Sequence, residues 1–191
     1  MTTDSLIDFF DFFSYNSVVI ISYFLICLTI LILNNISKGK LNNFLTIKKG
    51  SILNPMNYIR LITSGLCHKD WAHFRNNFII ILLIGPMLEE KYGSIELLEM
   101  LLITTTVTTV CHSLIHKSAS IGASDNVYMM VVLCSIVNII NGKIPITLVL
   151  IFLFYLADEI IKSLGKNKDN VAHDSHIIGA ICGFIYGYFI F

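Results

Sequence analysis

Charge is what this chain has least of. Lys, Arg, Asp and Glu make up 14% of its 191 residues and hydrophobic residues 55%, whereas soluble domains carry about a quarter charged residues. With a mean hydropathy of +0.75, that shortage excludes an ordinary water-soluble globule and makes a membrane protein the expectation. The 13 basic residues are matched by 13 acidic ones, so no excess of positive charge suggests a nucleic-acid partner. Paired cysteines are missing too. Cys27, Cys67, Cys111, Cys134 and Cys182 are scattered singly, mostly in apolar runs, and read as buried free thiols. No internal repeat or low-complexity tract divides the chain, and one membrane domain over residues 17–191, preceded by a short segment 1–16, is the simplest organisation.

What is present in place of charge is a set of long apolar runs. A helix rises about 1.5 Å per residue and needs about 20 largely apolar residues to cross a hydrocarbon core of about 30 Å. Charge-poor windows of that kind fall near residues 18–33, 71–88, 97–115, 123–140, 144–161 and 175–191. Arg75 lies in the first turns of the second, and Asp158 and Glu159 in the last turn of the fifth. None alternates polar and apolar residues as a barrel strand would, so helices are expected and the fold class is an all-α, six-span bundle. Asp4, Asp8 and Asp11 precede the first run where a leader would carry basic residues, and no small-residue cleavage site follows, so that run is expected to be a span. Residues 34–70 form the one long connection, a length that suggests structure or function. The turn Asn141-Gly142-Lys143 is typical of the short ones.

Counting crossings places the polar residues. Spans two, four and six start from the same membrane face. Span two opens with WAHFRNN and carries His73 and Asn77; span four opens with GASDN and carries Ser124; span six opens with AHDSHIIG and carries His173 and His176. All therefore lie within a turn or two of one surface, where polar groups inside spans are functional candidates. Each has a plainer reading. Ser124 before Asp125 suits a helix N-cap. His73 and Asn77, four apart on one helix face, suit an interhelical polar clamp. His173 and His176 suit interfacial positions, His173 more so because it lies further from the apolar run.

Gly179, Gly183 and Gly187 form GxxxGxxxG, a stripe on which another helix can approach closely. His176 precedes it by three residues, so a fourth span packed on the stripe would bring Ser124 to His176. A serine hydroxyl becomes nucleophilic when a base takes its proton, and a histidine within hydrogen-bond reach is the usual base. Amides at the start of the helix, with His73 and Asn77 as side-chain donors, would meet the need for oxyanion stabilisation.

These residues resemble the rhomboid intramembrane serine proteases, over most of the chain from about residue 54 to 187 and in the family's order. RLITSGLCHKDWAHFRNN (60–77) resembles the family's arginine-containing approach to its second span, ending in HxxxN. GPMLEEKYGS (85–94) resembles its GxxxExxxG turn, with Gly85, Glu89 and Gly93. GASD matches GxSx, with Gly122 and Ser124, and Tyr128 fits the aromatic that packs on the catalytic histidine. HIIGAICG (176–183) matches HxxGxxxG. The resemblance implies a six-helix fold with a Ser124–His176 dyad in a water-filled cavity, an oxyanion site from His73, Asn77 and the Ser124 amide, and structural roles for Arg60, Glu89, Gly179 and Gly183. It implies a multi-pass serine endopeptidase that cuts transmembrane-anchored protein substrates within or near their spans in the lipid bilayer, with no metal or cofactor.

The sequence departs from the family pattern at Asp125, where a small residue is usual; a carboxylate beside a developing oxyanion is unfavourable unless it points away, as the roughly 100° step between helix neighbours permits. Ile59 also replaces the aromatic usual before the loop arginine. Orientation is contested. Lys38, Lys40, Lys48, Lys49, Arg60, Lys69, Arg75, Lys117, Lys162, Lys166 and Lys168 share the face where spans two, four and six begin, and only Lys91 and Lys143 lie opposite. The positive-inside rule puts that face in the cytosol, whereas the resemblance puts it outside; the resemblance is followed, because several of these lysines sit in a long loop, where the rule weakens. The rival readings are an inactive rhomboid-like protein that binds membrane clients, although such relatives typically lack the serine or the histidine, and other intramembrane proteases, whose HExxH or GxGD is missing. His112 and His116, four apart at the end of the third span, have no acidic third ligand nearby in the chain and read as an interfacial pair.

Overall fold

A computed structural model describes residues 16–47, 54–116, 121–136, 146–157, 160–161 and 173–189. All regular structure among them is helical. The acidic pair Asp158-Glu159, the turn Asn141-Gly142-Lys143, residues 1–15 and Lys48, Lys49, Lys117, Lys162, Lys166 and Lys168 lie outside the described residues.

Each of the six apolar windows contains a helix. They are α1 (Val18–Ile36), α4 (Trp71–Tyr92), α5 (Ser94–Ile115), α6 (Ser124–Ile136), α7 (Ile146–Ile151, continued by a π-turn over Phe152–Leu156) and α8 (His173–Phe189). By length and composition, α1 and α5 qualify among the described residues as membrane-crossing helices. The 22-residue α4 spends its first turns on His73, Arg75, Asn76 and Asn77, which dilute its apolar run, while 13 residues of α6 and 17 of α8 are described. The long connection is structured as expected, with two further short helices, α2 (Lys40–Leu45) and α3 (Pro55–Thr63), the latter running into a 3-10 turn at Ser64–Leu66.

Local chemistry sets the boundaries. Asn54 caps α3 by accepting from the Met56 amide at 3.0 Å, with Pro55 in the first turn, where a missing N–H costs nothing. Asp70 caps α4 by accepting from the His73 amide at 2.8 Å. Gly93, at φ +96°, joins α4 to α5. Just before that corner the buried Glu89 accepts hydrogen bonds from the Ser17 hydroxyl, from the Val19 and Ile20 amides at 3.1 and 3.3 Å, and from the Ser94 hydroxyl at 2.7 Å. One carboxylate thus satisfies orphan amides at the start of α1, where the helix dipole favours negative charge.

Arg60 ties the loop helices together. Its Nε donates to the Phe44 carbonyl at 2.7 Å and its Nη1 to Asn57 Oδ1 at 3.1 Å, with the guanidinium 5.8 Å from the Phe44 ring centroid. Thr63 donates to the Leu45 carbonyl at 2.7 Å, and Asn42 Nδ2 to the His68 carbonyl at 2.9 Å. Arg60 and Glu89 thus each tie together segments distant along the chain.

The core gathers Ile20, Cys27 and Leu31 of α1, Phe74, Phe78 and Ile81 of α4, Leu97 and Met100 of α5, and Met129, Met130 and Leu133 of α6. In a bilayer, apolar burial alone gives helices little reason to associate, because lipid tails are as apolar as leucine; close backbone approach and interhelical hydrogen bonds must carry the association. The α6–α8 interface shows the first device. A Cβ built on Gly179 would stand 2.3 Å from the Asp125 carbonyl oxygen, and one on Gly183 would stand 2.2 Å from that of Met129. Only glycine permits this approach, so the stripe on α8 meets the fourth apolar segment. The α5–α6 interface shows the second device, a buried polar layer in which Thr108 donates to Asp125 and Asn126 Nδ2 donates to Thr105 Oγ1 at 2.8 Å.

Candidate active site

Packing on the glycine stripe aligns the first turns of α6 and α8. His176 Nε2 and Ser124 Oγ lie 2.8 Å apart. In the tautomer with its proton on Nδ1, the ring accepts from the serine hydroxyl, the arrangement a general base needs. The Tyr128 ring, one turn after Ser124, stacks on His176 with centroids 4.5 Å apart and planes 15° from parallel, fixing the plane of the imidazole. Ser124 is the first helical residue of α6, and its hydroxyl is turned toward α8. His173 is buried one turn before His176, with ring centroids 6.2 Å apart at 90°.

The loop before Ser124 has its own constraint. Gly122 sits at φ +121°, a backbone that residues with a side chain rarely adopt, and its amide donates to the Ser64 carbonyl at 3.4 Å. A Cβ there would lie 2.8 Å from His73 Nε2 and 3.6 Å from Asn77 Nδ2. Two side-chain nitrogens from α4 therefore converge over the backbone two residues before Ser124. Nitrogens so placed can donate to an oxyanion formed at Ser124 when each carries a proton.

Asp125 turns away from this cluster. Its side chain is buried against α5, where it accepts from Thr108, while its other oxygen accepts from the Asn126 amide at 2.9 Å. The roughly 100° step from Ser124 turns its carboxylate off the face that meets α8 and toward α5.

Three features escaped the sequence reading. The fully buried His68 places Nε2 3.2 Å from Asn77 Nδ2, and its ring meets His73 edge-on at 5.3 Å. Burial, and next the neighbouring His73, pushes the His68 imidazole down to about 3, so it remains a neutral partner that orients Asn77. At the exposed start of α4, Asp70 is held below the usual carboxylate range by the hydrogen bond from the His73 amide. His68 lies five residues before His73 in the stretch quoted above, and that spacing was its signal. The second feature is the threonine row on α5 facing Asp125 and Asn126. The third corrects a reading: Asp174, at the start of α8, supplies the acidic neighbour that His112 and His116 lack along the chain.

Comparison with known proteins adds an independent finding. A search of curated proteins finds no match, but the model of the Rhomboid domain matches residues 55–191. That match takes in more than half of the chain, from α3 through α8, with Ser124, His176, His73 and Asn77 all inside it. A charge-poor helical chain with this match belongs to the rhomboid family of integral membrane proteins.

Proposed function

We propose that this chain is an active intramembrane serine endopeptidase that cuts transmembrane-anchored proteins within or near their membrane segments. It would do so as a six-span, multi-pass protein in the lipid bilayer. The observation that carries the reading is the 2.8 Å approach of His176 Nε2 to Ser124 Oγ, inside a domain whose relatives act on membrane proteins.

In this mechanism Ser124 Oγ attacks the scissile carbonyl carbon while His176 Nε2 takes the hydroxyl proton. Negative charge develops on the carbonyl oxygen and is met by the Ser124 amide, His73 Nε2–H and an Asn77 Nδ2–H. His176 then gives its proton to the departing amine, the peptide bond breaks, and an acyl ester remains on Ser124. Water, activated by the same imidazole, hydrolyses the ester and regenerates the hydroxyl. Tyr128 keeps the imidazole plane aligned through both proton transfers, and His68 holds Asn77 in place. Arg60 and Glu89 act through structure alone. Asp125 takes no step.

Both members of the dyad are present and within reach of each other, which favours catalysis over the reading of an inactive relative that only binds membrane clients. The test is labelling of detergent-purified protein with a fluorophosphonate probe. A probe adduct on Ser124 that is lost in Ser124→Ala and His176→Ala supports the activated serine; an unlabelled but folded wild type would leave the client-binding reading standing.

A further inference from the structure

We propose that His112, His116 and Asp174 form a divalent transition-metal site that clamps α5 to α8 beside the dyad, with zinc as the ion it suits best. His112 and His116 are four residues apart near the end of α5 and present their rings on one face, stacked with centroids 4.6 Å apart and planes at 29°. Asp174 comes from the first turn of α8. Its Oδ2 lies 3.4 Å from His112 Nδ1 and 3.3 Å from His116 Nε2.

The spacing matches the chemistry. Zinc bonds nitrogen and carboxylate oxygen at about 2.0 to 2.2 Å, so neighbouring ligand atoms of a tetrahedral site stand about 3.3 to 3.5 Å apart. Both imidazole–carboxylate separations already have that value, and one ligand atom from each of the three residues lies within 4.8 Å of the others. The remaining edge, between the two histidines, is at most 4.8 Å, and the His116 side chain, 35% exposed, has room to adjust it. His112 is held in place by burial, while the exposure of His116 supplies an entry path and room for water at a fourth position. Two imidazoles and one carboxylate form a borderline donor set that takes zinc well and binds magnesium poorly.

The clamp is separate from the catalytic atoms. Asp174 and His176 are two residues apart, about 200° around the helix, so Asp174 faces α5 while His176 faces Ser124 of α6. An ion bound there would fix the first turn of α8, from which His176 projects.

The experiment uses full-length protein in detergent, stripped with a chelator and then equilibrated with zinc alone, with magnesium, or with cobalt as a visible reporter. Expected are a single zinc ion per chain, a cobalt spectrum of four-coordinate intensity, and no retention of magnesium. His112→Gln and Asp174→Asn should each weaken zinc binding at least about tenfold. A His73→Ala/His176→Ala double variant should still bind zinc, which separates the clamp from the histidines of the candidate active site. Wild-type protein alone gives a second readout, a rise in its unfolding temperature with zinc concentration. A wild type that retains no stoichiometric zinc and shows no thermal shift overturns the proposal, as does binding unchanged in Asp174→Asn or lost in the His73→Ala/His176→Ala variant. These readouts do not depend on proteolysis.

Discussion

The first turn of α6 shows two faces of opposite character. Toward α8, Ser124 and Tyr128 meet His176 at an interface kept thin by glycine, and the serine hydroxyl has a base at 2.8 Å. Toward α5, Asp125 and Asn126 enter a buried layer in which Thr108 donates to the Asp125 carboxylate and Asn126 Nδ2 donates to Thr105 and to the Tyr23 hydroxyl of α1. Adjacent residues of similar polarity thus differ in what their hydrogen bonds leave available. One face keeps a hydroxyl beside an imidazole, and the other uses hydrogen bonds as the interhelical glue that apolar burial does not supply in lipid. Polarity alone does not separate chemistry from structure here; direction around the helix does.

The largest expected effect comes from breaking the first face. Ser124→Ala, His176→Ala and the double variant should each reduce cleavage of a co-expressed single-span substrate by roughly three orders of magnitude or more, to a common residual level, because the pair acts as a unit. Unfolding temperature should change little. Cleavage that survives Ser124→Ala would remove the serine-protease reading. Smaller losses are expected from His73→Ala and Asn77→Ala, about 2 to 4 kcal/mol of barrier each if both donate to the oxyanion, read as a fall in kcat.

Gly183→Ala attacks the spacing between the faces. Its methyl would stand 2.2 Å from the Met129 carbonyl oxygen, so α8 must move outward and carry His176 away from Ser124. A destabilisation of about 1 to 3 kcal/mol is expected, with lost cleavage that no rise in substrate restores. A variant that unfolds and cleaves like the wild type would show that the stripe does not set the dyad distance.

Much of this site was legible in the sequence because it rests on parity and period. Alternate spans return to one face, and residues three or four apart share a helix side, so Ser124, His176, His73 and Asn77 could be gathered without coordinates. Glu89 was recognisable as structural, but its work of holding the start of α1 depends on a contact across 70 residues that no local pattern encodes. The direction of Asp125 was open until α5 was in place. The acidic neighbour of His112 and His116 was missed for the same reason, since Asp174 lies far along the chain and meets them only once α8 packs on α5.

The second face is tested by Asp125→Ala, with a smaller effect. Thr108 loses its carboxylate partner, yet its hydroxyl also lies 2.9 Å from the Thr104 carbonyl and can donate there. The expected cost is therefore near the low end of the range for a buried polar group left alone, about 1 kcal/mol. Folded protein should keep its cleavage rate within a few-fold. A loss of more than about tenfold, or about 1.4 kcal/mol of barrier, would mean that the carboxylate serves the chemistry after all.

The smallest expected effect on cleavage concerns His68, which belongs to neither face but lies behind His73 and Asn77. Burial and the neighbouring His73 lower its imidazole to about 3, whereas in the unfolded chain it titrates near 6.5. Between those values the unfolded state binds the extra proton, so stability rises with pH. The contribution of a neutral His68 is fully present above about 6.5 and is progressively lost as the pH falls toward about 3. Unfolding temperature in detergent should accordingly drop as the buffer is taken from neutral to mildly acidic, and His68→Gln should flatten that part of the profile, because its amide does not titrate. Gln also offers Asn77 an acceptor, so cleavage at neutral pH should fall only a few-fold. A profile identical in the two proteins would show that His68 is not the group whose protonation unsettles the fold, and that Asn77 is held by something other than a neutral imidazole.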